Sequence, residues 1–225
     1  MAEGLFTEDD FVTNEQGEQV LKEGIPAHTF STVRPGDIRY KDVDGDGAVT
    51  SMDVVALGGT NNPEIVYGFG ATARYKNVDF NIFFQGNGRT YRFIGGVVSN
   101  FLPGSSQGTM GNIFSNYNDR WTEENPSQDV FYPRLSWGVN ANNSQESTWW
   151  YRNMSMLRVK DIEIGYTLPK AWMNKIGLSN IRLYAKGSNL FTFSQFDLWN
   201  PELDTQNGAK YPIMKSFSVG LDVNF

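Results

Sequence analysis

The stretch "KSFSVGLDVNF" at residues 215–225 alternates without a break. Phe217, Val219, Leu221, Val223 and Phe225 fall on one side of an extended chain; Ser216, Ser218, Gly220, Asp222 and Asn224 fall on the other. A period of two is the signature of a β-strand with one apolar and one polar face. Four more segments share the habit. In "EIVYGFGATARY" the apolar face is Ile65, Tyr67, Phe69, Ala71, Ala73 and Tyr75, and in "VDFNIFFQ" it is Val78, Phe80, Ile82 and Phe84, with Phe83 out of phase. "DIEIGYTL" sets Ile162, Ile164, Tyr166 and Leu168 against Asp161, Glu163, Gly165 and Thr167. Leu157 and Val159 have the opposite phase, which predicts a bulge near Lys160. "IRLYAKGSNLF" alternates Ile181, Leu183, Ala185 and Phe191 with Arg182, Lys186 and Ser188. The chain reads as all-β.

The connections fix the order of these strands. Lys76 and Asn77 make a two-residue hairpin turn. A long connection follows over about 87–155, then a moderate one, "PKAWMNKIGLSN", with a helical turn, then a long one over about 194–214. Long and short connections alternate, so an antiparallel meander carries its large loops at one end. Ile113, Phe114, Tyr117 and Trp121 stand at helical spacing and predict a short amphipathic helix in the first long loop. Thr7 before "EDDF" predicts a second, capped by its hydroxyl. Residues 1–63 read as a loop region, and 64–225 as strands with long loops.

Composition narrows the function. A net charge of -6 argues against nucleic acid. The absence of cysteine excludes thiol chemistry and Cys-based zinc sites, and a single histidine, His28, excludes HExxH. There is no apolar run long enough for a membrane helix, and "MAEGLFTEDDF" has neither the basic start nor the apolar core of a signal peptide. Barrel strands, however, hide their hydrophobicity by alternation. Glycine-rich polar faces, aromatics at strand ends (Tyr75, Tyr166, Phe193, Phe225) and strands of about ten residues suit a transmembrane barrel. Alternation also suits a soluble sandwich. Both stay open on this ground.

The loop "YKDVDGDGAVTSMD", residues 40–53, concentrates four aspartates. Asp42, Asp44, Asp46, Ala48 (by its carbonyl), Thr50 and Asp53 occupy positions one, three, five, seven, nine and twelve of an EF-hand loop, and Gly47 supplies the turn at six. The final Asp resembles dockerin loops more than sensor loops. Two carboxylates about 4 Å apart repel by roughly 4 kcal/mol at an effective dielectric of 20, so the spacing predicts a structural calcium ion, accessory to the main function. Asp161 and Glu163 share a strand face about 7 Å apart, which reads as lumen-lining charge before a glycosidase pair. "GNGR" at 86–89 lacks the spacing and lysine of a phosphate loop. Trp149, Trp150 and Tyr151 read as interfacial girdle residues ahead of a sugar-stacking platform.

The motifs "PGDIRYKDVDGDG", "NPEIVYGFGATARYKNVDFNIFFQG", "DRWTEENP", "YPRL", "LRVKDIEIGYTLP", "IRLYAKGSNLFTFS" and "KSFSVGLDVNF" together resemble the C-terminal part of the SusC/RagA family of TonB-linked outer-membrane transporters of Bacteroidetes. The resemblance covers residues 35–225 in order. It implies the C-terminal segment of a 22-stranded transmembrane β-barrel whose long extracellular loops contain short helices. It also implies import of oligosaccharides or peptides with a SusD-type lipoprotein, driven by the TonB complex through parts absent from this chain, in contact with outer-membrane lipid. Such a segment would not be an enzyme and would not transport alone. No ligand-binding residues are assigned. The alternative is a secreted, calcium-stabilised β-sandwich that binds carbohydrate; a dockerin-like adhesion module would need a second calcium repeat.

Overall fold

A computed structural model describes residues 1–95, 102 and 113–225. Contacts divide them into two units. The first gathers Met1–Gly58, Arg92–Arg152 and Thr205–Ala209; the second gathers Gly59–Tyr91, Asn153–Asp204 and Lys210–Phe225.

The first unit is built from very short strands: β1 (Ala2–Leu5), β2 (Phe11–Thr13), β3 (Gln19–Leu21), β4 (Ala27–His28), β5 (Ile38–Tyr40) and β6 (Ala48–Val49). β1 pairs with β5 and β2 with β3, both antiparallel, while β4 and β6 pair in parallel. Phe6, Phe11 and Val33 form a small core, with Leu21 and Ile25 against it. The helix expected at Thr7 is a single 3-10 turn, Glu8–Asp10, in which the Thr7 N–H and hydroxyl both donate to the Asp10 carboxylate. It stops there because Phe11 is already extended and enters β2. The helix expected over 113–121 does not form among the described residues. Tyr117 and Asp119 donate to the carbonyls of Phe114 and Asn116, making successive turns. Arg120 instead bridges to Tyr132, and the Trp121 N–H donates to the Tyr132 carbonyl. The Trp121 ring fills the space beside Gly36, where a Cβ would stand 2.3 Å from it.

The second unit carries β7 (Ile65–Tyr75), β8 (Val78–Gly88), β11 (Met156–Thr167), β12 (Asn180–Ser194) and β13 (Ser216–Asn224). Between β8 and β11 the chain forms β9 (Tyr91–Phe93) and β10 (Tyr151–Asn153), which pair with each other. The long strands form one antiparallel sheet in the order β13-β12-β11-β8-β7, as the alternation and the connections predict. Lys76 turns the first hairpin with φ 53. The helix α1 (Lys170–Ile176) follows Pro169 and closes at Gly177, φ 70, whose N–H bonds to Met173.

The predicted bulge is present. Val159 and Asp161 face adjacent residues of β8, Phe84 and Phe83, so Lys160 is the extra residue. On the other side Asp161 faces Ser188 and Val159 faces Phe191, so β12 bulges in turn, with Asn189 at φ 56, a left-handed conformation that asparagine tolerates. This double bulge reverses the phase of Leu157 and Val159. Phe83 is explained by its neighbours. Its ring lies over Gly68 and Gly70 of β7, whose missing side chains leave it room on the polar face.

One face of this sheet is apolar and exposed: Phe69 53%, Phe191 59%, Phe217 77% and Val219 86%. No described helix is long and apolar enough to cross a membrane, which says nothing of strands.

Candidate functional site

The aspartate loop is held open by its own backbone. Asp42 accepts from the N–H groups of Gly45 and Gly47 (2.7 and 2.9 Å), and Asp46 from Ala48 (2.8 Å). These bonds turn Asp42, Asp44 and Asp46 towards one point, with one carboxylate oxygen of each within 4.8 Å of the others. Asp53 closes the loop from the far end, accepting from Val43 at 2.6 Å and Thr50 at 2.7 Å. The Thr50 hydroxyl accepts from Met52 at 3.0 Å. The N–H donors from Thr50 and Val43 hold Asp53 below the usual carboxylate range. At Asp44 the Asp46 N–H also favours the charged form, but desolvation and the charges of Asp46, Asp53 and Asp42 outweigh it and raise the pKa. Three of the six expected ligands therefore converge, Asp53 braces the loop, and Ala48 sits in β6 beside Ala27. The converging oxygens suit a hard cation.

A second constellation was invisible in the sequence. Asp37, fully buried, accepts from five groups. Arg134 donates through Nε and Nη2 (3.1 and 2.9 Å), Asn140 and Asn143 through their amides (3.0 and 2.8 Å), and Arg34 through its backbone (2.9 Å). Asn142 and Asn143 return bonds to the backbone of Ile38 (2.8 and 2.9 Å), and Tyr40 donates to the carbonyl of Asn142 (2.7 Å). Residues about a hundred positions apart are thereby fixed together. His28 joins this hub as a neutral ring. Asn142 is oriented by its amide bond to Ile38, so its oxygen accepts from Nδ1 (2.8 Å), while Nε2 accepts from the Tyr40 N–H (3.4 Å). Burial depresses the His28 pKa more than the Asn142 hydrogen bond raises it. Burial also pushes up Tyr40. The Asn-rich run at 140–143 was the available hint, since clustered amides satisfy a buried carboxylate only when they meet one.

Trp150 is neither a girdle residue nor a sugar platform. It is 1% exposed, packs edge-on to Phe131 and donates from its indole N–H to Asn143 (2.7 Å). Trp149 donates to the Phe131 carbonyl, and Tyr151 packs on Phe93.

The polar face of the sheet carries a charge clasp. Arg182 of β12 reaches across β11 to Asp79 of β8, touching Glu163 (2.6 Å) on the way and Asp222 of β13 (3.5 Å) behind it. Gly165 makes this possible: a Cβ there would stand 2.4 Å from the guanidinium. Asp161 accepts from Ser188 (2.7 Å) and pairs with Lys186 (3.3 Å). Asp161 and Glu163, the alternative glycosidase pair, are thus each engaged by a cation.

A meander with one exposed apolar face and a polar face cross-linked by charge is compatible with the wall of a membrane barrel. No family model matches the chain. Among curated proteins it is similar to TonB-dependent receptor P26 of Formosa agariphila, 30% identical over 204 residues, covering 84% of this chain and 20% of that protein. It is also similar to TonB-dependent receptor SusC of Bacteroides thetaiotaomicron, 24% identical over 220 residues, 92% of this chain and 20% of that one. Among solved structures, the RagAB peptide importer in its closed-closed state matches with a TM-score of 0.63 at 19% identity, over 100% of this chain and 21% of that chain. A structure of the RagAB peptide transporter matches with a TM-score of 0.56 at 23% identity, over 74% of this chain and 18% of that chain. The chain is homologous to TonB-dependent receptors of the SusC/RagA type, and spans about a fifth of the length of the curated relatives it matches.

Proposed function

We propose that this chain forms part of the wall and outer loops of a TonB-dependent importer in the cell outer membrane. The barrel of that importer has 22 strands, the size of the large plugged transporters. The apolar face of the sheet meets lipid, and the clasped polar face lines the lumen. Long connections, over 87–155 and 194–214, leave the sheet at its extracellular end. The importer takes up oligosaccharides or peptides together with a SusD-type lipoprotein, and draws energy from the TonB complex through segments outside this chain. Its role is transport rather than catalysis, and the segment does not transport alone.

The observation that carries this reading is the exposure of the apolar face, at 77% for Phe217 and 86% for Val219, on a sheet whose other face is bonded across four strands. A sandwich would bury that face against a second sheet. Spin labels placed singly along 216–223 in detergent micelles test it. Labels at odd positions should be relaxed by oxygen, which partitions into the apolar phase, and labels at even positions by a soluble nickel complex. Odd positions shielded from the nickel complex without any detergent, in a monodisperse sample, would favour the calcium-stabilised sandwich instead.

The aspartate loop is read as a calcium clip within the same framework. Asp42, Asp44 and Asp46 supply the converging oxygens, the Ala48 carbonyl and Thr50 complete the set, and Asp53 supplies the twelfth position. A bound ion would offset the mutual repulsion of the three carboxylates and stabilise the first unit by mass action. Calcium added to chelator-treated protein should raise the unfolding temperature of that unit, and Asp44→Asn should reduce the rise. An unchanged melting curve at millimolar calcium would refute the clip.

A further inference from the structure

The connection after β12 begins as a tightly bonded strap. Ser194 donates to the Ser155 carbonyl (2.9 Å), and Phe196 and Trp199 pack edge-to-face with their centroids 4.8 Å apart. At its centre stands Arg158 of β11, which is 1% exposed. Its Nε donates to Thr192 of β12 (3.1 Å), its Nη2 to Asn200 (2.8 Å), and its Nη1 pairs with Glu202 (2.5 Å). Leu203 donates to the Asn200 carbonyl, closing a turn around the guanidinium.

The side of the sheet that this strap covers follows from the bulge. Beyond Lys160 the apolar phase is carried by Leu157 and Val159, so Met156 and Arg158 point to the polar face, in register with Asn87 and Gln85 of β8. Both are buried, at 4% and 1% exposure, and it is on this side that the Arg158 guanidinium meets Asn200 and Glu202. Residues 195–204 therefore cover the polar face at that end of the sheet. A buried guanidinium needs a charged partner and full hydrogen bonding, because removing one member of such a pair leaves an uncompensated charge. Arg158 obtains both its carboxylate and a second acceptor from the strap. Within 197–204, Glu202 and Leu203 also bond locally to Asn200, and Asp204 pairs with Lys210 (3.6 Å).

We propose that residues 195–204 are an inward-folded strap, clamped by Arg158, that narrows the transport path from its lumen wall. This rests on the barrel reading above, in which the polar face is the lumen. The strap carries the exposed Asp197, while Asp204, also exposed, pairs with Lys210 (3.6 Å).

Hydrogen exchange on the whole chain in detergent micelles tests the clamp. Arg158→Met should accelerate amide exchange across 196–204 by about tenfold or more, while β11 and β12 amides around Ile162 and Leu183 keep their rates. Glu202→Gln should give a smaller acceleration of the same residues, because it keeps an acceptor and removes the charge. If Arg158→Met does not fold, Glu202→Ala with Asn200→Ala removes the same partners from the strap side and should reproduce the acceleration. Unchanged strap exchange in these variants would overturn the clamp. A spin label at Asp197 then reads the location: the proposal predicts relaxation by the nickel complex and protection from oxygen. Oxygen relaxation at Asp197, with Val219 also lipid-exposed, would overturn the strap while leaving the barrel intact. Val219 shielded from the apolar phase would overturn the barrel reading, whatever the strap does.

Discussion

In the sheet, a residue's surroundings follow from its parity; in the first unit, they follow from one buried carboxylate. β13 repeats a two-residue rule over its whole length, and each of its residues meets a partner that the same rule selects on β12. The first unit has no such repeat. Its strands are two to four residues long, and Asp37 joins them to Arg134, Asn140 and Asn143, partners 97 to 106 positions away. Periodic structure distributes its stability over many equivalent bonds. A polar hub concentrates it, so single substitutions should have very different effects in the two regions.

The largest expected effect is at the hub. Asp37→Ala leaves the Arg134 guanidinium and two buried amides without their acceptor, and should destabilise the first unit by about 3–5 kcal/mol. Hydrogen exchange of the first-unit amides at increasing urea reads it, Trp150 included, since its indole bonds to Asn143 in the same hub. Hydrogen exchange in β11 and β12 should not change. If both regions weaken together, their stabilities are not separable and the comparison fails.

In the sheet the counterpart is Gly165→Ala. The new Cβ displaces Arg182, a flexible side chain, so the cost is loss of the charge-assisted bonds to Asp79 and Glu163 rather than a backbone clash. About 1–2 kcal/mol is expected. Thermal unfolding of the Gly165→Ala, Arg182→Met and double variants checks it. The double variant should cost no more than Arg182→Met alone if the glycine serves only to pass the arginine.

Mild acidification should give the smallest effect, and it should act through the first unit. His28 has a depressed folded pKa, so protonation favours the unfolded chain. Its contribution is fully present above the ordinary imidazole value of about 6.5 and is lost as the pH falls through the lower folded value. The physical cause is burial of the ring, which outweighs the hydrogen bond with Asn142. Stability of the first unit should decline as the pH falls from about 6.5 towards the lower folded value, and His28→Gln should flatten that decline. A wild-type profile flat across that window would mean the ring does not hold its neutral tautomer.

The two regions also differ in how far they could be read from residues alone. The five long strands, the Lys76 turn, the bulge near Lys160 and the helical turn after Pro169 were all legible, because period and turn chemistry are local. Phe83 and Gly165 were not explained, because the reason for each lies on a neighbouring strand. Residues 113–121 carried helical spacing, but Tyr132 and Gly36 draw Trp121 into place and turns suffice to deliver it. The convergence of Asp42, Asp44 and Asp46 was legible from spacing, while the bracing role of Asp53 needed its amide partners. Trp150 illustrates the limit: three adjacent aromatics suggest a surface function, and the hub's own acceptor decides otherwise.

The central claim is that the sheet is an open wall with two separate edges. Val219 of β13 lies in one row with Ala185, Ile164, Phe80 and Ala73 of β7. The chain contains no cysteine, so a pair introduced at Ala73 and Val219 can be spin-labelled uniquely. Four inter-strand steps of about 4.8 Å place the two backbones roughly 19 Å apart or more. Pulsed electron resonance in detergent should return a separation in that range, with the protein monodisperse only while detergent is present. A clearly shorter distance in detergent-free buffer would mean that β7 and β13 come together in a small closed domain, and would contradict the account.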